Sequence, residues 1–288
     1  MPLSSAQLEA FAEVAKCGGF SVAAKNLHIT QSALSQRVMN LEKELETALL
    51  VRDHHGIRLT QAGESLLRHW QTVSSLESEV LENLGVKNSQ AAGMIRVATF
   101  SSIGRSIVLP ALAKVVERYP DMNLQLLSKE IRDLLPSLSK NEVDFIFTTE
   151  STNRSDIESH LVGYEENVLV ESTSKKARND VYLDHDSEDQ TTFKFFSIQK
   201  KKMPKMLQRS YLDEIYSLID GVACGLGRAV IPRHLVDGRK GIREVEGLNP
   251  LRLPVYFQYF KQPYYTKSHN AIVTQLQIDI PKYLMSEI

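Results

Sequence analysis

Leu8, Phe11, Ala12 and Ala15 recur at intervals of three and four residues, which puts them on one stripe of an amphipathic helix over 5–16, with Ser4 or Ser5 as its cap. Gly18 and Gly19 stop that helix, Ser21 can cap a short second one reaching Leu27, and His28-Ile29-Thr30 leads into a third from Gln31 to about Leu45. Three helices with such tight joints predict a helix-turn-helix.

The third helix has two unlike faces. Leu34, Val38, Leu41 and Leu45 share one, while Ser32, Ser35, Gln36, Met39 and Asn40 occupy the other, which is polar but hardly charged. Short hydroxyl and amide groups suit base edges in the major groove, where they donate and accept without a large desolvation cost. Leu49-Leu50-Val51-Arg52 and Ile57-Arg58-Leu59-Thr60 then read as two short strands around Asp53-His54-His55-Gly56, a wing that brings Arg52 and Arg58 to phosphates.

From Gln61 to Leu84 there is no proline, and Leu66, Trp70, Val73, Leu76, Val80 and Leu84 recur every three or four residues. One long helix is implied, roughly 36 Å at about 1.5 Å per residue, too isolated to stand without burying its stripe on a partner. Leu66, Trp70, Val73, Leu76 and Val80 are therefore expected at a dimer seam. Residues 85–93 form a hinge by composition.

Beyond the hinge, strands and helices alternate. Strands are predicted at Ile95–Phe100, Leu124–Leu127 and Phe145–Thr149, with helices over 103–118 and Asp133–Lys140 between them. Further strands are suggested at Val168–Glu171, Phe193–Ile198 and Val255–Phe260. Such alternation builds a parallel sheet with helical crossovers, so the chain is α/β.

Charge and composition narrow the picture only a little. The 288 residues carry a formal net charge of -1, and residues 1–60 hold as many acidic as basic side chains. Non-specific attraction to nucleic acid should be modest, with geometry and dimerisation carrying more of the binding. The two cysteines, Cys17 and Cys224, lie far apart, which suits a reducing cytoplasm; neither a signal peptide nor a long apolar span is visible, so a soluble intracellular protein is expected. Lys200-Lys201-Lys202-Met203-Pro204-Lys205 reads as a solvated surface loop, and the acidic Asp184–Asp189 stretch, whose His185 lacks a second histidine at ligand spacing, reads as an exposed loop, so neither metal nor cofactor is expected.

Ala23-Ala24, Thr30-Gln31-Ser32-Ala33-Leu34-Ser35, Leu41-Glu42, Arg52 and Leu59-Thr60-Gln61-Ala62-Gly63 stand at the spacing of the LysR-type transcription regulators, which the chain resembles over nearly its full length. Residues 219–232 are similar to the helix, Gly-x-Gly turn, buried strand and proline of that family's effector domain. Because this Gly-x-Gly ends a helix and precedes a strand, it is no dinucleotide loop. Ser32, His55, Asn141 and Arg228 depart from the family's usual proline, wing arginine, glycine and apolar residue. Mostly neutral histidine weakens a wing contact, whereas asparagine tolerates the left-handed turn.

The resemblance implies an N-terminal winged helix-turn-helix (1–60), a linker helix and hinge (61–91), and a two-lobed, periplasmic-binding-protein-like (type II) effector domain (92–288; lobe I 92–162 and 265–288, lobe II 163–264). It implies promoter DNA, a small effector, a homodimer or homotetramer, and RNA polymerase as partners. The DNA-binding residues would be Thr30, Gln31, Ser32, Ser35, Gln36, Arg37, Arg52, His55 and Arg58. The DNA-reading end is similar to the branch that answers to basic amino acids.

In open parallel sheets ligands settle beyond the carboxyl ends of strands, near the free N–H groups of helix starts. Thr99, Ser101, Ser102, Thr148 and Thr149, with Glu150 just beyond, fall at such ends, and the resemblance adds Ser197, Ile198 and the Gly225 turn on the facing lobe. Plain capping by Ser102 stays open. Two other function classes compete: a redox sensor acting through Cys224, and an enzyme fused to a DNA-binding domain. The second lacks any nucleophile motif, paired metal-ligand histidines or Walker loop.

Overall fold

The computed structural model describes residues 3–53, 56–83, 93–120, 122–174, 176–199 and 208–284. They form two compact units: the described residues up to Asn83 with Pro136–Glu142 and Gln262–Asn270, and the remainder.

The first unit opens with α1 (Ser5–Cys17), α2 (Phe20–Asn26) and α3 (Gln31–Glu44), followed by the hairpin of β1 (Leu50–Asp53) and β2 (Gly56–Leu59) and by α4 (Gln61–Asn83). Leu8, Phe11 and Val14 of α1 meet Ala23, Ala24, Leu34, Val38, Leu41 and Leu49 in its core. The buried α1 stripe thus runs through Ala10 and Val14, and Ala12 and Ala15 lie at its half-buried margin. Gly18, at φ 65, ends α1 in the left-handed conformation that glycine adopts without strain. Ser21 does not cap α2; Gly19 holds the N-cap position, and Ser21 reaches forward to α3 instead.

The second unit is organised by one nine-stranded sheet in the order β4-β3-β5-β11-β6-β9-β7-β8, with β10 added on β6. In lobe I, β3 (Gly93–Thr99) pairs in parallel with β4 (Met122–Ser128) and β5 (Phe145–Thr148). Between β3 and β4 the chain is helical throughout: α5 (Ser101–Ile103), a wider π-helical turn over Gly104–Val108, and α6 (Leu109–Arg118). α7 (Ile131–Ser139) leads to β5, and Asn141 takes the turn between them at φ 58.

β6 (Ile157–Ser172) leaves lobe I and enters lobe II without a break, lying antiparallel to β11 (Leu251–Phe260) and then to β9 (Arg228–Pro232). Lobe II adds β7 (Val181–Asp184), α8 (Thr191–Ser197), β8 (Gln208–Tyr211), α9 (Ile215–Ala223) and β10 (Ile242–Glu244), and α10 (Lys267–Asp279) follows β11. Phe145, Phe147 and Phe257 stack in the lobe I core at 4.9 and 5.5 Å, while Val168, Val181, Leu218, Val222 and Ile231 close lobe II.

The segment expected as strand 193–198 is the helix α8. Its local composition is aromatic, but tertiary contacts decide: Thr192 donates to buried Asp184 at 2.5 Å, Thr191 N–H donates to Asp189, and Phe195 fills the core at helical spacing from Thr192.

Candidate functional site

α3 starts at Thr30, whose backbone is extended and whose Oγ1 accepts from Ala33 N at 3.2 Å, a side-chain N-cap. Ser32 Oγ lies 3.0 Å from the same oxygen. Leu34, Val38 and Leu41 are buried on one face; Gln31, Ser32, Gln36, Met39 and Asn40 are exposed on the other, with Ser35 and Arg37 half-buried between. Gln31 accepts from Ser21 at 2.9 Å and Gln36 donates to Asn40 at 2.8 Å. Both amides are therefore held by neighbours before a partner arrives, which lowers the ordering cost of an encounter.

β1 and β2 pair with Val51 opposite Arg58 and Arg52 opposite Ile57, and Arg58 is exposed. His55, the third expected wing residue, lies outside the described residues. The motif residues around the wing do structural work that their spacing alone did not reveal. Glu42 accepts from Leu49 N and Leu50 N at 2.8 and 3.1 Å, fastening α3 to the first wing strand. Thr60 donates to Ala48 O at 2.7 Å and accepts from Gly63 N at 3.0 Å, so it ties the wing to the start of α4. A Cβ on Gly63 would stand 2.2 Å from the Leu49 carbonyl oxygen, which is why this position must be glycine.

The expected dimer stripe divides. Leu66 and Trp70 pack against the winged-helix core of their own chain, together with Leu67, because the first turns of α4 roof that core. Val73 and Leu76 are half-buried, and Val80 is 56% exposed.

In the second unit, the carboxyl ends of β3 and β5 meet at one edge of lobe I. Thr99 is buried and donates to Phe100 O at 3.2 Å; Thr148 is buried and accepts from Glu150 N at 3.3 Å. Ser101 and Thr149 are half-buried at the rim. Ser102 neither caps its helix nor faces outward: it is buried and donates to Glu165 Oε1 at 2.7 Å. The same oxygen lies 3.0 Å from His234 Nε2, His234 Nδ1 lies 3.3 Å from Ser106 Oγ, and Ser106 donates to Ser102 O at 2.7 Å. Four side chains thus close a ring that links the helix after β3, the shared strand β6 and the turn after β9. Nothing local to any of them announces it, since Ser102 and His234 stand 63 and 69 positions from Glu165.

The structure does not bring the facing-lobe residues to this edge. Ser197 and Ile198 are exposed at the end of α8, not at a strand end, and Ser197 donates to Lys194 O at 2.7 Å. Gly225 turns at φ 83 against Ala177, at the amino end of β9, the opposite end from Pro232 where β9 meets Asn167 of β6. Gly225 therefore lies at an amino end of the sheet and not at a carboxyl one. Neighbouring Cys224 is exposed and unbridged.

Arg228 is accommodated by Glu171, which also binds Arg243, at 2.5 and 2.8 Å respectively. The Arg243 hydrogen bond, opposed by burial and aided by Arg228, holds the Glu171 carboxyl below its ordinary range. The Asp184–Asp189 stretch is not a plain exposed loop. Asp184 is buried and takes Arg209 at 2.5 Å, and His185 pairs with Asp189 at 2.9 Å. Burial alone would lower the His185 pKa, but the Asp189 hydrogen bond and charge outweigh it and leave it raised. Among the described residues no cluster of histidine, cysteine and carboxylate groups can hold a metal ion, and no helix is long and apolar enough to cross a membrane.

Residues 5–64 match the bacterial regulatory helix-turn-helix protein pattern of the LysR family, and residues 88–184 match the LysR substrate binding domain; together these cover more than half of the chain. The chain belongs to the LysR family. It is a DNA-binding transcription regulator with an effector-binding domain. Among relatives of this LysR-type regulator, YofA of Bacillus subtilis is 25% identical over 247 residues, covering 82% of this chain and 84% of YofA. Solved structures agree on the fold. ArgP from Mycobacterium tuberculosis superposes with a TM-score of 0.80 at 22% identity over 100% of both chains. LysG from Corynebacterium glutamicum with bound effector Arg gives 0.75 at 18% identity, over 99% of this chain and 100% of LysG.

Proposed function

We propose that this regulator reads promoter DNA through Gln31, Ser32, Ser35 and Gln36, while Thr30, Arg37, Arg52 and Arg58, with His55 on the wing, hold the phosphate backbone. The observation that carries this reading is the division of α3 into a buried Leu34–Val38–Leu41 face and an exposed face of amides and hydroxyls already fixed by their neighbours. The protein acts in the cytoplasm by binding rather than catalysis, as a dimer or tetramer seated through Val73, Leu76 and Val80, and RNA polymerase is its downstream partner.

Its effector is a carboxylate-bearing metabolite of the amino-acid class. Ser101 and Thr149 offer rim hydroxyls beside the first N–H groups of the helix that follows β3, where the helix dipole favours an anion. Thr99, Ser102 and Thr148 back this edge from within. The arginine bound in LysG, whose fold this chain shares, fits the same class.

Selection from random duplexes followed by anisotropy tests the first half: an enriched sequence should bind about tenfold or more above its scrambled version, and equal binding of all duplexes sinks the assignment. For the second half, a thermal-shift screen of amino acids and aromatic acids should yield a stabiliser. The S101A/T149A pair should lose it in calorimetry while keeping the parent's melting temperature and DNA affinity; normal binding by the pair overturns the proposed edge.

A further inference from the structure

We infer that Glu165 is the residue that selects an amine-bearing effector, its carboxylate accepting the effector's ammonium beside the helix start that takes the effector's carboxylate. The inference rests on the effector edge proposed above and adds what the ligand must carry.

Glu165 is 4% exposed, and burying a carboxylate is costly unless its oxygens are satisfied. Ser102 and His234 both address Oε1, at 2.7 and 3.0 Å. Among the described residues no hydrogen bond reaches Oε2. Half of a buried carboxylate is thus left to a partner from outside the fold.

Register places Glu165 along the sheet. Thr148, the last residue of β5, pairs with Tyr256 of β11, and Glu165 of β6 pairs with Leu253, three residues further along β11 in the direction β5 runs. Glu165 therefore stands beyond the carboxyl end of β5, at the same edge as Ser101 and Ser102. The Ser102 contact brings its carboxylate to the first turn of the helix, whose leading N–H groups have no intrahelical partner. An anion acceptor and a cation acceptor side by side match the carboxylate and ammonium that an α-amino acid carries on one carbon. His234 is a positioning residue: held by Ser106, it occupies Oε1 and so leaves Oε2 for the ligand.

Calorimetry on the full-length protein with L-arginine, L-lysine and L-leucine, each against its α-hydroxy acid counterpart, tests this. The parent should bind at least one amino acid about tenfold more tightly than its hydroxy acid, since a charged donor gives the stronger bond to a carboxylate. E165Q should bring that ratio close to one, leaving hydroxy-acid binding, effector-free DNA binding and the melting temperature near the parent's. If the parent binds both kinds equally, the effector edge stands and the role of Glu165 falls. If E165Q keeps the discrimination, the ammonium is read elsewhere and the inference is overturned. If no probe binds, the amino-acid reading of the effector fails first and takes this one with it. Should E165Q melt early, S102A decides instead: it should weaken amino acids more than hydroxy acids, and equal weakening overturns the inference.

Discussion

The face of α3 proposed to read DNA and the edge beside β3 and β5 both rely on serine, threonine and carboxamide or carboxylate groups, yet they are built in opposite ways. On α3 one continuous segment supplies every group, the helix repeat alone decides which side faces out, and Ser32 is exposed because Leu34 is buried. At the proposed effector edge the groups come from residues 99–106, 148–150, 165 and 234, and Ser102 is buried because a strand distant in sequence brings Glu165 against it. A serine therefore says little by itself. Its meaning comes from periodicity in the first region and from sheet topology in the second.

The sharpest way to break this comparison is at the glycines that allow each arrangement. G63A drives a methyl group to 2.2 Å from the Leu49 carbonyl, a backbone atom that cannot step aside. It should cost about 4 kcal/mol and, in scanning calorimetry, lower the winged-helix transition while the effector unit melts as before; unchanged DNA affinity would show that the wing is not locked to α4.

The next effect is a pH response. Burial lowers the His269 pKa from 6.5 to about 4, so the folded chain keeps it neutral where the unfolded chain takes up a proton. Stability contributed by this residue is fully present above pH 6.5 and is lost as pH falls toward 4, by about 3 kcal/mol at most. Denaturant titrations of H269Q should show a flatter profile over that window, and a profile as steep as the parent's would contradict the assignment.

Q36A should alter which sequences are preferred at a cost of about 2 kcal/mol per lost base contact, whereas R58A should weaken all duplexes alike and reduce the salt slope by about one. Competition binding at several salt concentrations separates them, and identical behaviour of the two variants erases the division into reading and holding groups. The smallest effect belongs to G104A, whose methyl would meet the Thr99 methyl at 2.7 Å. A side chain can adjust, so about 1 kcal/mol is expected, visible as a small drop in the effector unit's melting temperature; a loss as large as that of G63A would make the two regions equally rigid.

What could be read directly from the residues follows the same division. α1, α3 and the wing were legible because each hides one face on neighbours close in sequence, and α4 because its apolar stripe keeps one helical repeat. The helix of 191–197 was not, because Phe193-Lys194-Phe195-Phe196 favours a strand locally and Asp184 and Asp189 overrule it from the preceding strand and loop. Trp70 and Leu66 looked unpartnered because the core they cover lies in α1 to β1, which no stripe on α4 alone reveals. Glu165 gave no signal, since an acid inside Tyr164-Glu165-Glu166-Asn167 looks like any solvated turn until His234 and Ser102 are seen against it.

β6 has a mechanical consequence. Its sixteen residues serve both lobes, and its ladder with β11 slips register at one place, Val255/Tyr256, opposite Gly163 at φ 144. The effector domain is a single plate scored across its middle. Folding along the score disturbs pairing at one spot, whereas torsion about the strand would load the ladder on both sides of it.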